Sequence, residues 1–294
     1  MRTGGPVLRI EHLAISFHQY ERGLRRRTVT PVVDMSLEAY AGEVLAIVGE
    51  SGAGKSLVGM ATLGLLPPNA EESGVVRFHG RALDHGARRR LAGHEVGLLP
   101  QSPAFLDPLS RVGTQLRRAA KLAGITDSRG AASEALQRRG MAPSVMRLYP
   151  HELSGGMARR VLFALATMAA PQLIFADEPT PGLHESSAAE VLADIRGLAD
   201  SGSAVILVSH DIDQALTIAN RVVVVRAGRT LEQAVPSQFA GDGSALRHPY
   251  SRALWRALPR HGFELPAGGI DSDLPRPAAA EVSVGAGAPG TVAL

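Results

Sequence analysis

The chain has 294 residues, 45% of them hydrophobic, with a formal net charge of +3 and no cysteine. That length supports one large core with an appendage or two small domains, and the missing cysteines exclude a disulfide framework, thiolate metal sites, an iron–sulfur centre and a cysteine nucleophile together. Met1 to Leu13 holds no apolar stretch of signal-peptide length, and the longest apolar run, Val161 to Ala170, falls far short of the ~18 residues of a spanning helix, so the sequence predicts a chain neither exported by that route nor embedded in a bilayer.

In chain order, Leu8-Arg9-Ile10-Glu11 alternates in strand fashion, and the pattern resumes near Val32 to Leu37 after a polar, arginine-rich loop. An antiparallel β layer is expected here, leading into the apolar run Val44 to Val48. That run is followed by Gly49-Glu50-Ser51-Gly52-Ala53-Gly54-Lys55-Ser56 and then by the helix-like segment Leu57 to Leu63, a succession that reads as strand, phosphate loop, helix. The glycines let the backbone curl so that successive N–H groups, from Gly49 to Leu57, converge on phosphate oxygens. The helix starting near Lys55 points its positive end at the same place. Lys55 is one of only two lysines in the chain, the other being Lys121. It is placed to reach the β- and γ-phosphates, and the Ser56 hydroxyl to ligate Mg²⁺.

After Pro67-Pro68, Val75 to Gly80 reads as a short strand and turn, and Val96 to Leu99 as a strand leading to Gln101. From Pro108 to Met146 the pattern turns helical, with Val112, Gln115, Leu116, Ala119, Ala120 and Ala123 at helix spacing. Ser154 is placed to cap a helix running through Met157 to Met168 and closed before Pro171. Ser154, Gly155 and Gly156 at that helix start form a second anion-binding surface. One nucleotide does not need two such cradles on one subunit, so this surface is expected to close over a γ-phosphate held by another subunit. Leu173 to Ala176 and Ala204 to Val208 are fully apolar, with a helix expected around Ala188 to Ala199 between them, which fits parallel strands buried on both faces. The first of them ends in Asp177-Glu178, where a parallel sheet delivers its reactive groups: Asp177 to hold Mg²⁺ through water, Glu178 to polarise the attacking water. Val222 to Val225 with Ala227-Gly228-Arg229 reads as a strand and turn, and the Pro-, Gly- and Ala-rich stretch from Glu264 to Leu294 as a flexible tail. The basic clusters Arg25 to Arg27 and Arg88 to Arg90 are short and carry no interleaved aromatics, so no nucleic-acid partner is expected.

With these segments in this order, the sequence resembles the nucleotide-binding subunits of ABC transporters. Gly49 to Ser56 matches Walker A, Gln101 the Q-loop, Leu153 to Met157 the signature, Leu173 to Glu178 Walker B, and His210 the switch histidine. The resemblance implies an α/β P-loop NTPase with a RecA-like core, an N-terminal antiparallel β layer and an inserted helical subdomain over about 108–153. The ATPase domain spans 1–263 and the tail 264–294. ATP and Mg²⁺ are the implied ligands. Gln101 touches Mg²⁺ or the γ-phosphate, His210 holds the γ-phosphate and keeps the attacking water and Glu178 in line, and either Phe17 or Tyr20 stacks on adenine. Leu106-Asp107-Pro108-Leu109, Met157 and His248-Pro249-Tyr250-Ser251-Arg252-Ala253-Leu254 point to the oligopeptide, dipeptide and nickel importer branch. That branch implies transport driven by ATP hydrolysis at the cytoplasmic face of the cell membrane. The partners are a second ABC ATPase subunit, in a heterodimer or homodimer, two permease subunits and, indirectly, an extracytoplasmic solute-binding protein. Peptides and nickel or metal chelates both remain as cargo, and the absence of the cysteine cluster that peptide members of the branch often carry near the C-terminus tips the balance slightly toward nickel or metal chelates. His184 stands where the family usually has aspartate, which keeps open a regulatory subunit of weak turnover. A soluble ABC ATPase without a transport role is the other alternative; the chain lacks the heptad arms or duplicated cassette of that class.

Overall fold

The computed structural model describes residues 4–20 and 26–261, so the expected tail over 264–294 lies outside the described residues. The chain opens with an antiparallel hairpin, β1 (Leu8–Tyr20) and β2 (Arg26–Ala39), and then enters β3 (Val44–Gly49), the phosphate-loop segment and α1 (Lys55–Thr62). β4 (Ala70–Phe78) and the short β5 (Arg81–Ala82) return to the hairpin, followed by α2 (His85–Leu91) and β6 (Val96–Leu99). α3 (Val112–Leu122), α4 (Ser128–Gln137) and α5 (Gly155–Ala166) form the helical portion. Then β7 (Leu173–Asp177), α6 (Glu185–Asp200), β8 (Ala204–Ser209), α7 (Ile212–Ile218), β9 (Arg221–Arg226), β10 (Arg229–Ala234) and α8 (Pro249–Arg256) complete the described chain.

All the strands join one curled sheet in the order β5-β4-β1-β2-β10-β9-β3-β8-β7-β6. β9, β3, β8, β7 and β6 are mutually parallel, whereas β1 pairs antiparallel with β2 and β4. A single parallel pairing, Arg229 with Asp34, connects the two halves, so the antiparallel layer expected from the sequence is a continuation of the main sheet. In β3 and β8 every residue is buried, and alternation decides only which core it enters. Val44, Ala46 and Val48 of β3 join the core shared with α5, α6 and α7, while Leu45 and Ile47 join the one that holds α1 and the inner side of the curl. β7, β8 and β9 divide in the same way, which is why they read as unbroken apolar runs rather than as alternating strands. α1 sits within the curl, Gly59 lying so close to the Phe175 ring that an added Cβ would come within 2.4 Å of it.

The hairpin differs from the sequence reading. The arginine-rich stretch expected to be a loop is mostly strand, because β1 and β2 continue to Tyr20 and from Arg26. Register shifts interrupt β1 between Ile10 and Leu13, Leu13 and Ile15, and Ile15 and Phe17, and His12 takes a positive φ of 52°. Each shift resets the inward-facing period, so strict alternation is lost although the strand continues. β4 likewise begins earlier than expected, pairing Ala70 with Phe17.

The segment leading into α8 is pinned by a buried carboxylate. Glu232 of β10 accepts from the backbone N–H groups of Arg247 (2.7 Å) and His248 (3.0 Å), just before α8. Burial works to raise its pKa, but these two donors, the nearby Ser251 hydroxyl and His248 together hold it below the ordinary glutamate value. A carboxyl with a depressed folded pKa adds stability that is fully present above its unfolded titration, about pH 4.3, and is lost as pH falls through the lower folded value. Glu232→Gln keeps the shape and removes the charge. It is expected to cost about 1–3 kcal/mol at neutral pH, with the deficit closing as the medium is acidified; thermal melts of both proteins across pH measure it.

Candidate functional site

The phosphate loop is shaped by what surrounds it. Gly49 ends β3 with φ 151°, and a Cβ there would lie 2.0 Å from the Val225 carbonyl oxygen of the neighbouring β9. Gly54 sits at the cap position of α1 with φ 84°, where a Cβ would strike Val32 and the Pro31 carbonyl. Neither position tolerates a side chain, so the loop's path is fixed by backbone crowding as well as by the left-handed conformation. Ala53 is buried and Leu57 half-buried in the inner core, anchoring the loop, while Glu50, Ser51 and Gly52 are exposed at its crest. No side chain caps α1, which leaves its first-turn N–H groups facing the cradle.

Lys55 is buried and folds back over the loop, its Nζ donating to the carbonyls of Gly49 (2.9 Å) and Glu50 (2.8 Å). Burial lowers its pKa, and Glu178, Asp177 and Glu50 oppose that shift. Ser56 donates from Oγ to Oδ1 of Asp177 at 2.8 Å. Asp177, at the end of β7, has its pKa raised chiefly by burial, with Glu178 adding to the rise and the Ser56 bond and Lys55 working against it. A hydroxyl and a carboxylate in contact are hard oxygen donors beside an anion cradle. Such a set suits Mg²⁺, which keeps much of its water and is held by one or two protein groups plus substrate phosphates.

Glu178 follows β7 in a left-handed conformation, φ 42°, with its N–H donating to the Val208 carbonyl at 3.0 Å. A non-glycine residue there costs on the order of 1–3 kcal/mol, and such strain persists only where the surroundings impose it. Its Oε2 receives two groups from separate loops: Gln101 Nε2 at 3.0 Å and His210 Nδ1 at 3.3 Å. Asp177, Glu178, Gln101 and His210 therefore gather at the ends of parallel strands next to the phosphate loop.

The Ser154, Gly155, Gly156 surface is exposed at the start of α5, where Ser154 Oγ accepts from the Met157 N–H at 3.3 Å. Phe17 lies on β1 opposite Val29 and Ala70, half-buried against the inner core. Tyr20 ends β1, and its side chain lies outside the described residues. His184 is exposed ahead of α6, its Nδ1 3.2 Å from Ser186 Oγ. Sequence reasoning missed Arg159 of α5, whose guanidinium donates to the carbonyls of Pro179 and Pro181 (2.8 Å for the latter) and so ties the signature helix to the loop leaving Glu178. Only the backbone path of that loop identifies the contact; no local motif announces it.

The ABC transporter family model matches residues 32–181. Over 265 residues the chain is 32% identical to the oligopeptide transport ATP-binding protein OppD of Haemophilus influenzae, spanning 87% of this chain and 80% of that protein. Over 242 residues it is 35% identical to the Escherichia coli protein of the same name, spanning 79% and 71% respectively. Among solved structures, a dimeric ATP-binding cassette in a post-hydrolysis state, bound to ADP and Pi, superposes with a TM-score of 0.66 at 22% identity, covering 78% of this chain and 98% of that one.

Proposed function

From the premise that this chain belongs to the ABC transporter family, we propose that it is the ATP-hydrolysing subunit of an importer that energises peptide uptake. The convergence of Gln101 and His210 on one oxygen of Glu178, beside the bonded pair Ser56 and Asp177, carries the proposal. The triphosphate binds along Gly49 to Leu57, its charge met by backbone N–H groups, the start of α1 and Lys55, which exchanges its two loop carbonyls for phosphate oxygens. Ser56 and Asp177 would hold Mg²⁺, with Gln101 near it, and the bound ion would supply neutralisation of phosphate charge. Glu178 takes the proton of the attacking water while His210 keeps carboxylate and γ-phosphate aligned. Phe17 or Tyr20 stacks on the adenine.

Ser154, Gly155 and Gly156 belong to the site of a second subunit, so two cassettes close head to tail around two nucleotides. Closure is favoured because nucleotide contacts both faces only in the closed state, and that difference in affinity does the mechanical work. The second cassette is a related ATPase in a heterodimer or a second copy of this chain in a homodimer. Two permease subunits receive the motion, and an extracytoplasmic solute-binding protein supplies the cargo. No helix among the described residues is long and apolar enough to cross a membrane, which suits a peripheral subunit at the cytoplasmic face. Peptide is preferred to nickel as cargo because the OppD relatives are named for oligopeptide transport.

Lys55→Ala tests the nucleotide site. Loss of one buried, charge-assisted donor to phosphate corresponds to about 10- to 100-fold in affinity. Titration of the purified chain with Mg·ADP reads it, and unaltered affinity would remove Lys55 from the cradle. The regulatory alternative rests on His184, which leaves that loop without the family's carboxylate; phosphate release by the assembled complex far above that of a Glu178 variant rejects it.

A further inference from the structure

A strand, a phosphate loop and a helix suffice to bind a triphosphate, yet the chain runs on past β10 and returns to the same loop. The returning segment carries His248 to Leu254, which the proposed chemistry leaves without a task. α8 has only eight residues, too few to hold together without docking. What docks it is specific. Trp255 is 2% exposed, meets Phe239 edge-on at 5.7 Å and donates from Nε1 to the Gly241 carbonyl at 3.0 Å. Glu232 fixes the first turn, as described above, and His248 Nδ1 accepts from the Tyr250 N–H at 3.1 Å.

This anchorage buries Tyr250, 3% exposed, beside the end of β9 and the phosphate loop. The Arg226 guanidinium lies 4.6 Å from the centre of its ring. Arg226 ends β9, and the next residue, Ala227, donates its N–H to the Glu50 carboxylate at 3.3 Å. The Val225 carbonyl, one residue earlier, is the atom that Gly49 packs upon. The first turn of the phosphate loop thus rests on the end of β9, and the end of β9 rests on Tyr250. Burial pushes the phenol's pKa up and the Glu50 carboxylate adds to this, whereas Arg226 and the Glu50 backbone act in the other direction, so Glu50 lies within electrostatic reach of the hydroxyl. Further along, Arg260 covers the Trp255 ring at 4.1 Å and pairs with Asp213 at 2.8 Å, in the first turn of α7, three residues after His210.

We propose that α8 and the turn after it brace the nucleotide site, Tyr250 acting as a positioning residue that holds the phosphate loop through Arg226 and Glu50, and Arg260 holding α7 beside His210. The brace rests on the assignment of Gly49 to Leu57 as the nucleotide cradle. Its function is to keep loop N–H groups aimed before nucleotide arrives, which lowers the ordering cost of binding.

The test uses the full chain and titration with Mg·ADP. Tyr250→Phe keeps the ring under Arg226 and removes only the hydroxyl that lies within reach of Glu50. It is expected to weaken Mg·ADP by roughly three- to tenfold, about 0.7–1.4 kcal/mol of binding, with a fall in melting temperature no larger than that of the control variant. Tyr250→Leu, which also loses the ring, weakens it further; if that variant fails to fold, Tyr250→Phe decides. Arg139→Ala, away from α8, loses its ion pair with Asp194 (2.9 Å) and so lowers the melting temperature while leaving affinity at the parent value. Parent-like affinity in Tyr250→Phe, or equal weakening by Arg139→Ala, overturns the brace while a Lys55→Ala defect leaves the cradle standing. A parent chain that holds no Mg·ADP removes the cradle and the brace together.

Discussion

Glu178→Gln is expected to reduce phosphate release by the assembled complex about 10²- to 10⁴-fold, the range for removal of a general base, while nucleotide affinity of the chain stays at its parent value. The substitution is isosteric and keeps the β7 end in place, since the left-handed turn at this residue is held by the backbone bond to Val208 and not by the carboxylate. What the amide cannot do is accept a proton from water, and it answers Gln101 and His210 with one carbonyl oxygen in place of a carboxylate. Affinity is spared because the groups that grip the triphosphate, the loop N–H donors and Lys55, lie in another element. Turnover equal to the parent removes Glu178 from its role; a large fall in affinity moves it from chemistry to binding.

The parts of this site that could be read in the sequence are those written over a few adjacent residues. Gly49 to Ser56 between an apolar strand and a helix specifies its own conformation, and Leu173 to Glu178 specifies a buried strand with carboxylates at its tip. Ser154 as cap of α5 follows from residue type and position alone. The parallel half of the sheet was legible for the same reason: strands buried on both faces announce themselves as apolar runs. Of β1 only its start, Leu8 to Glu11, was legible, because register shifts further along break the alternation that marks a half-buried strand. Contacts between distant segments were not legible either. Nothing near Arg159 shows that its guanidinium will find the carbonyls of Pro179 and Pro181, and nothing near Tyr250 shows that α8 will fold back under the end of β9. α2, only seven residues long with Asp84 as its cap, is too short for a hydrophobic period to register.

Gly156→Asp separates the needs of the fold from those of the assembled site. A Cβ added at Gly155 or Gly156 would meet nothing within 4 Å, and neither residue has a positive φ, so this subunit's own structure gives no reason for glycine at either place. Glycine in a helix is also about 1 kcal/mol worse than alanine, and a carboxylate in the first turn interacts favourably with the helix dipole by about 0.3–1 kcal/mol. On stability alone the variant should melt no lower than the parent, and its affinity for Mg·ADP should match the parent's, because Lys55 and the phosphate loop are untouched. Hydrolysis by the assembled complex should nonetheless fall by about 10³-fold, since a carboxylate pressed against the γ-phosphate of the facing subunit costs several kcal/mol. The three readouts discriminate between geometries. Loss of affinity in the isolated chain would place the second cradle over this chain's own nucleotide, and unchanged hydrolysis would leave it facing nothing. Only intact folding and binding with failed turnover fits a glycine surface kept bare for a phosphate that another subunit brings.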